Sequence, residues 1–390
     1  MVALSDTPYT KAPHSQKRLT KSLERSTAWL SDILRPIESS RNPHPLNILV
    51  HMVGGTSIPA RQAFAENLTE TLYGREADAI LPYKHLDDGV KGYVFDLVPL
   101  RLSLVAEQYA DTPAALSDTS TTPTPTQAIV DTSEIVPLIQ ASLKALSVDK
   151  LRLVNSAVSP HEILRLIRDV GIDIFDAHWA QRAADIGIAL DFRFPLPELD
   201  CGSNIAQKRR VGINLYDPIY ASDFTRFATC FLDGASSLAS QTSSNTPVCL
   251  CVACSPVPPA THISHSSVDW EMYTESSRST PKYLPPYTRA YIHHLLHTHE
   301  MSSHTLLAMH NISVFDAFMH GIRAVLAGPN GESRFKAEVT KFCEGYDEGM
   351  SVFEEARKMW TVVELARGKG RLAREREKQN ESILGTTVES

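Results

Sequence analysis

Cys249, Cys251 and Cys254 fall within six residues (C-L-C-V-A-C), and thiolates at that spacing can close on one tetrahedral Zn²⁺. Six cysteines in 390 residues is an ordinary content, but half of them in one hexapeptide is not. A Cys₃ set needs one more donor, and a histidine from a following helix can supply it. His310, beside Asn311 in a long amphipathic stretch, is the candidate; His262 and His265 lie nearer in the chain and could compete. Four protein ligands leave the ion no open position, so its expected role is to hold a fold together and not to activate water.

Downstream, the chain reads Y-T-R-A-Y-I-H-H-L from Tyr287, then L-L-A-M-H-N-I-S-V-F-D-A-F-M-H-G-I-R through Arg323. With the cysteine cluster this resembles the zinc-subdomain signature of the tRNA-guanine/queuine transglycosylase family: C-x-C-x-x-C, R-A-Y-I-H-H-L, H-N, then F-x-x-x-M-x-x-I-R. The resemblance places the last zinc ligand at His310, not at His293 or His294. Upstream, G-I-D-I-F-D at Gly171–Asp176 resembles the segment that carries the family's nucleophilic aspartate. It extends from about Val2 to Arg323 with one long gap.

The resemblance implies an α/β fold of the (β/α)₈ TIM-barrel family with a zinc-binding subdomain, and a base-exchange reaction. In that reaction an aspartate attacks the ribose C1′, guanine leaves, and queuine enters at the anticodon wobble position of tRNAs for Asp, Asn, His and Tyr. This is carboxylate nucleophilic catalysis with a second acid/base group and a pocket that reads an extruded base. Asp176 stands in the nucleophile's place, but its surroundings depart from the family's. Where catalytic members continue C-V-x-P-T-R, this chain has Ala177-His178-Trp179-Ala180-Gln181-Arg182. Their V-Q-G-G is Met52-Val53-Gly54-Gly55 here, and valine can neither donate to nor accept from a base. The flexible G-G-L-A-V-G-E loop corresponds to Asp96-Leu97-Val98-Pro99-Leu100, a branched, proline-containing run that can neither bring backbone N–H groups close to a base nor adopt the same turns. The D-S-G-G motif has no counterpart.

A zinc site kept beside a dismantled pocket resembles the non-catalytic subunit of the family's eukaryotic heterodimer, in fungal form given V-H-M-V-G-G-T and F-D-L-V-P-L-R-L. The implied cofactor is one structural Zn²⁺. The implied partners are the catalytic subunit and tRNA, and Asp176 is vestigial. The competing expectation is a diverged active transglycosylase that uses Asp176.

The elements that must position these residues follow from periodicity. Apolar residues at helical spacing mark Lys17–Leu34, Ala60–Leu72, Ser133–Leu146 and His161–Val170; buried-strand patterns mark Leu46–Met52, Gly92–Leu97, Leu151–Asn155 and Ile172–Asp176. Alternating strands and helices predict parallel βα units. These four units match the second half of the family's barrel, and Val2–Ser5 falls where its fourth strand lies. The expectation is a chain truncated by a wrong start site or a missed exon, since half a barrel leaves sheet edges unpaired. Gly187–Phe192 and Arg210–Leu215 read as short antiparallel strands leading to the cysteines. The expected organisation is a partial barrel at 1–200, a zinc subdomain at 201–348 and a helix with a charged tail at 349–390. A Thr/Pro/Ser tract at Ala110–Gln127 reads as a disordered loop and Ser255–Tyr283 as an insertion.

A net charge of −7 does not itself point to RNA. Basic residues are nonetheless grouped, at Lys208-Arg209-Arg210 and at Arg367, Lys369, Arg371, Arg374 and Arg376. No apolar run approaches a membrane span. Clustered, unpaired cysteines fit a reducing compartment such as the cytoplasm, with peripheral attachment to the mitochondrial outer membrane an option that animal members of the family suggest.

Overall fold

The computed structural model describes residues 1–7, 13–35, 47–110, 130–196, 208–227, 251, 253, 254 and 287–366. Cys249, His262, His265, the Thr/Pro/Ser tract beyond Ala110, the 255–283 insertion and the basic tail from Arg367 lie outside them. Two compact units result, Met1–His178 and Trp179–Ser390.

The first unit is a parallel α/β layer. Helix α1 (Gln16–Leu34) starts where the Ser15 hydroxyl accepts from Arg18 N, and it buries Leu19, Leu23, Leu30 and Leu34 on one stripe. Strand β1 (Leu49–His51) is followed by α2 (Ile58–Thr69) and α3 (Arg75–Ala79). Strand β2 (Gly92–Asp96) runs directly into α4 (Leu97–Ala110), and α5 (Thr132–Leu143), β3 (Leu151–Asn155), α6 (Pro160–Val170) and β4 (Ile174–Phe175) complete the series. The four strands are parallel in the order β1-β2-β3-β4, and Val2 forms a parallel bridge to Leu49 at the β1 edge. Period-two alternation sends Ile48, Val50, Met52, Tyr93, Phe95 and Val154 into the core built with the helices. The opposite face carries one row in register, His51, Val94, Leu153 and Ile174.

Asp96–Leu100 does not form a loop like the family's, as its branched, proline-containing sequence implies. It is the junction of β2 and α4, where the Asp96 carboxylate accepts from Val98 N at 3.0 Å. Pro99 sits in the first turn, where a missing N–H costs nothing. A buried ion pair anchors the same helix: Arg101 Nη2 reaches Glu162 Oε2 at 2.5 Å, and Nη1 donates to Ser156 O at 2.8 Å.

In the second unit α7 (His178–Asp185) leads to β5 (Ile188–Leu190), which pairs antiparallel with β6 (Gly212–Asn214). A 3₁₀ turn (Pro218–Ser222) and the helices α8 (Arg289–His297), α9 (Met301–Leu326), α10 (Gly331–Gly345) and α11 (351–366) follow. Aromatic rings fill one end of this unit, with Phe192 edge-on to Phe318 (5.3 Å between centroids) and Phe194 edge-on to Phe318 (6.0 Å). The contact requires Gly321: a Cβ there would lie 1.9 Å from Phe194 O. Among the described residues no helix is long and apolar enough to cross a membrane.

Candidate metal centre

The core stripe of α9 includes Leu307, His310, Asn311, Val314 and Phe318, at the spacing of one helix face. Two strongly polar neighbours therefore sit where apolar residues would be expected, and both are fully buried. Each is satisfied. Asn311 Oδ1 accepts from Leu190 N at 2.9 Å, while its Nδ2 donates to Ala180 O (3.1 Å) and Ile188 O (2.9 Å). It thus ties α9 to α7 and β5 with three hydrogen bonds.

His310 Nε2–H donates to the Leu190 carbonyl at 2.9 Å. A carbonyl can only accept, so this bond fixes the tautomer and leaves the Nδ1 lone pair pointing the other way. It points at sulfur: Nδ1 lies 3.3 Å from Cys254 Sγ and 3.9 Å from Cys251 Sγ. All three residues are buried, and their ligand atoms lie within 4.8 Å of one another. Two metal bonds of about 2.3 and 2.0 Å meeting at the tetrahedral angle would separate sulfur and nitrogen by about 3.5 Å, between the two observed values. Soft sulfur, an imidazole held in the right tautomer and exclusion of water together fit a thiolate-preferring metal ion. The structure therefore brings together three of the four ligands expected from sequence; Cys249 lies outside the described residues.

The cysteines are held by a turn in which Cys254 N donates to Cys251 O, and Tyr287 N donates to Ala253 O to join it to the start of α8. Phe227 packs edge-on against the His310 ring at 5.5 Å. Arg289 secures that loop: Nη1 reaches Asp223 Oδ2 at 3.1 Å, Nη2 donates to Phe227 O, and the guanidinium lies over the Tyr220 ring. Burial works to raise the Asp223 carboxyl, but hydrogen bonds from Thr225 and Arg289 outweigh it and hold the group below the ordinary carboxylate range. Sequence reading gave no role to Asp223, Phe227 or the Leu190 carbonyl; Asp223–Thr225 looks like any polar turn.

Asp176 closes β4 in the first unit. Its Oδ2 accepts from Ser156 N at 2.8 Å and its Oδ1 from His178 N at 3.4 Å. Both carboxylate oxygens therefore face backbone donors. The C-terminal ends of β1 and β2 line an open cavity, with His51, Val53, Gly54, Arg61, Asp96 and Leu100 among its walls. Arg61 fills part of the wall, donating to Gly55 O at 2.6 Å and to Ser142 Oγ at 3.0 Å. Gly54, at φ +123°, lets its backbone pass: a Cβ would meet Arg61 at 2.7 Å. Burial lowers Arg61 to about 10, still a cation at neutral pH. Of the basic group at 208–210, Lys208 donates to Cys343 O and Arg210 pairs with Glu355 at 2.7 Å.

The sequence pattern of the queuine tRNA-ribosyltransferase family matches residues 125–348. Among curated relatives, the queuine tRNA-ribosyltransferase accessory subunit 2 of Aedes aegypti is 24% identical over 309 residues, 79% of this chain and 52% of the relative. The protein of the same name from Schizosaccharomyces pombe is 25% identical over 89% of this chain and 53% of its own length. That from Ixodes scapularis is 30% identical over 49% of this chain and 36% of its own. The chain spans about half the length of the first two of these relatives.

Proposed function

The chain belongs to the queuine tRNA-ribosyltransferase family, and we propose that within it the chain is a non-catalytic accessory subunit. In this reading it pairs with a catalytic homologue and supports exchange of guanine for queuine at the wobble position of tRNAs for Asp, Asn, His and Tyr. The relatives named accessory subunit 2, one of them fungal, support that placing. The observations that carry it are Val53, which offers a base neither donor nor acceptor, on the wall of the strand-end cavity, and the Asp176 carboxylate turned to backbone N–H groups. A site built to hydrogen-bond a base loses about 10⁴-fold or more when those partners go.

In the same reading, Cys249, Cys251, Cys254 and His310 hold one Zn²⁺, which supplies a cross-link with no open position for chemistry. His310 is oriented by Leu190, and Asn311 keeps α9 seated so that the imidazole meets the thiolates. The parallel sheet corresponds to the second half of a (β/α)₈ barrel. The docking surface is the face of α8 and the preceding turn, where Ile219, Phe224 and Tyr291 are exposed and Tyr291 stacks on Tyr287 at 5.4 Å. An interface of the permanent class would bury about 2,000 Å² or more.

Co-expression with a catalytic queuine tRNA-ribosyltransferase tests this reading. A one-to-one complex by size exclusion with light scattering, and no base exchange by this chain alone, are the expected results. A chain that stays monomeric beside its partner, or exchanges labelled guanine into tRNA unaided, would overturn it.

A further inference from the structure

Helix α8 carries a second group of metal-ligating side chains, His293 and His297, one helical turn apart on the same face. Their rings lie 4.1 Å apart between centroids at an angle of 41°. Each has its Nδ1 engaged with a backbone carbonyl: His293 with Leu215 O at 2.9 Å and His297 with His293 O at 2.8 Å. Because a carbonyl only accepts, both Nδ1 atoms carry the proton, and both Nε2 atoms are left with a lone pair. This is the orientation that metal-binding histidines take when a carbonyl fixes the tautomer. Tyr216 packs edge-on against the His297 ring at 5.7 Å and limits its rotation.

We propose that His293 and His297 form a two-imidazole site for a late first-row divalent cation, distinct from the cysteine centre. Two neutral imidazoles at helical spacing chelate one ion, and the Irving–Williams order favours nickel and copper on nitrogen donors. Among the described residues no third His, Cys, Asp or Glu donor joins the pair in a compact set. Water therefore completes the coordination, and the ion is exchangeable, unlike one enclosed by thiolates. Burial, the largest influence, holds His293 below the ordinary imidazole range; the Leu215 carbonyl and Asp217 oppose it and the charges of His297 and His294 add to it. The site lies on the helix proposed for docking but does not depend on that reading, since both ligands come from this chain.

The test is calorimetric titration of Ni²⁺ into the full, untagged chain with its zinc content measured before and after. One Ni²⁺ should bind without loss of zinc. His297→Asn should weaken that binding by about 100-fold, the gain that joining two sites on one scaffold confers, and His293→Asn by a similar factor. His294→Asn, which changes the neighbouring imidazole outside the pair, should leave it unaltered. Where His293→Asn disturbs folding by losing the Leu215 bond, the exposed His297 carries the test. Unchanged Ni²⁺ binding in His297→Asn, or an equal loss in His294→Asn, would overturn the proposal. So would Ni²⁺ uptake only at the expense of zinc.

Discussion

The cysteine centre and the strand-end cavity are opposite outcomes of the same physical problem, the burial of polar groups. At the centre, His310 and Asn311 are fully buried and every described polar contact leads either to a backbone group or toward the thiolates. At the strand ends, Asp176 and Arg61 are also satisfied, Asp176 by Ser156 and His178 and Arg61 by Gly55 and Ser142. One region keeps a lone pair of His310 aimed at two sulfurs, a group that could hold a metal ion. The other turns its polar groups to backbone and side-chain partners of the chain itself. Satisfied hydrogen bonding alone therefore does not mark a working site; what matters is whether donors converge on a point that the chain itself does not fill.

The contrast breaks first at the metal. Cys254→Ser or His310→Ala should release zinc and unfold the second unit, because metal binding of about 10 kcal/mol is also folding free energy. Metal analysis by mass spectrometry with circular dichroism checks this, and stoichiometric zinc in a folded His310→Ala protein would rule out the assigned ligand. Arg101→Met should cost about 3–5 kcal/mol by stranding Glu162 in the interior, measured by urea unfolding. It belongs to the other unit and should leave zinc content unchanged. Asn311→Ala sharpens the comparison, costing about 3 kcal/mol for groups left unpaired. Because Asn311 positions the helix that carries His310, zinc affinity should fall by about 10- to 100-fold. A destabilised variant with wild-type zinc affinity would separate Asn311 from the centre.

A smaller effect comes from His51. Burial holds it below its usual 6.5, so the unfolded chain takes up the proton first. Its contribution is fully present above about pH 6.5 and is lost as pH falls toward the folded value. The urea midpoint of the first unit should therefore drop between pH 7.5 and 5.5, and His51→Gln should flatten that dependence.

The sequence was legible where a pattern has a single physical meaning. Leu19, Leu23, Leu30 and Leu34 marked α1 to within a residue of its observed start, and the four apolar runs became four parallel strands, as alternating strands and helices predict. Cys251, Cys254 and His310 were legible because sulfur and imidazole at that spacing have few other uses. The β2–α4 junction was not, because Pro99 signals a break in a helix interior and an ordinary residue in a first turn, and only the structure tells these apart. Nor was the support under His310 at Leu190 and Phe227, where a backbone carbonyl and a ring edge leave no trace in residue type.

Whether this chain supports base exchange without performing it is decided at Asp176. Asp176→Ala, reconstituted with a catalytic subunit and assayed for labelled guanine exchange into tRNA, should keep a rate within a few-fold of the unaltered pair. A fall of orders of magnitude, with the complex still formed and zinc still bound, would make Asp176 a working nucleophile and contradict the account.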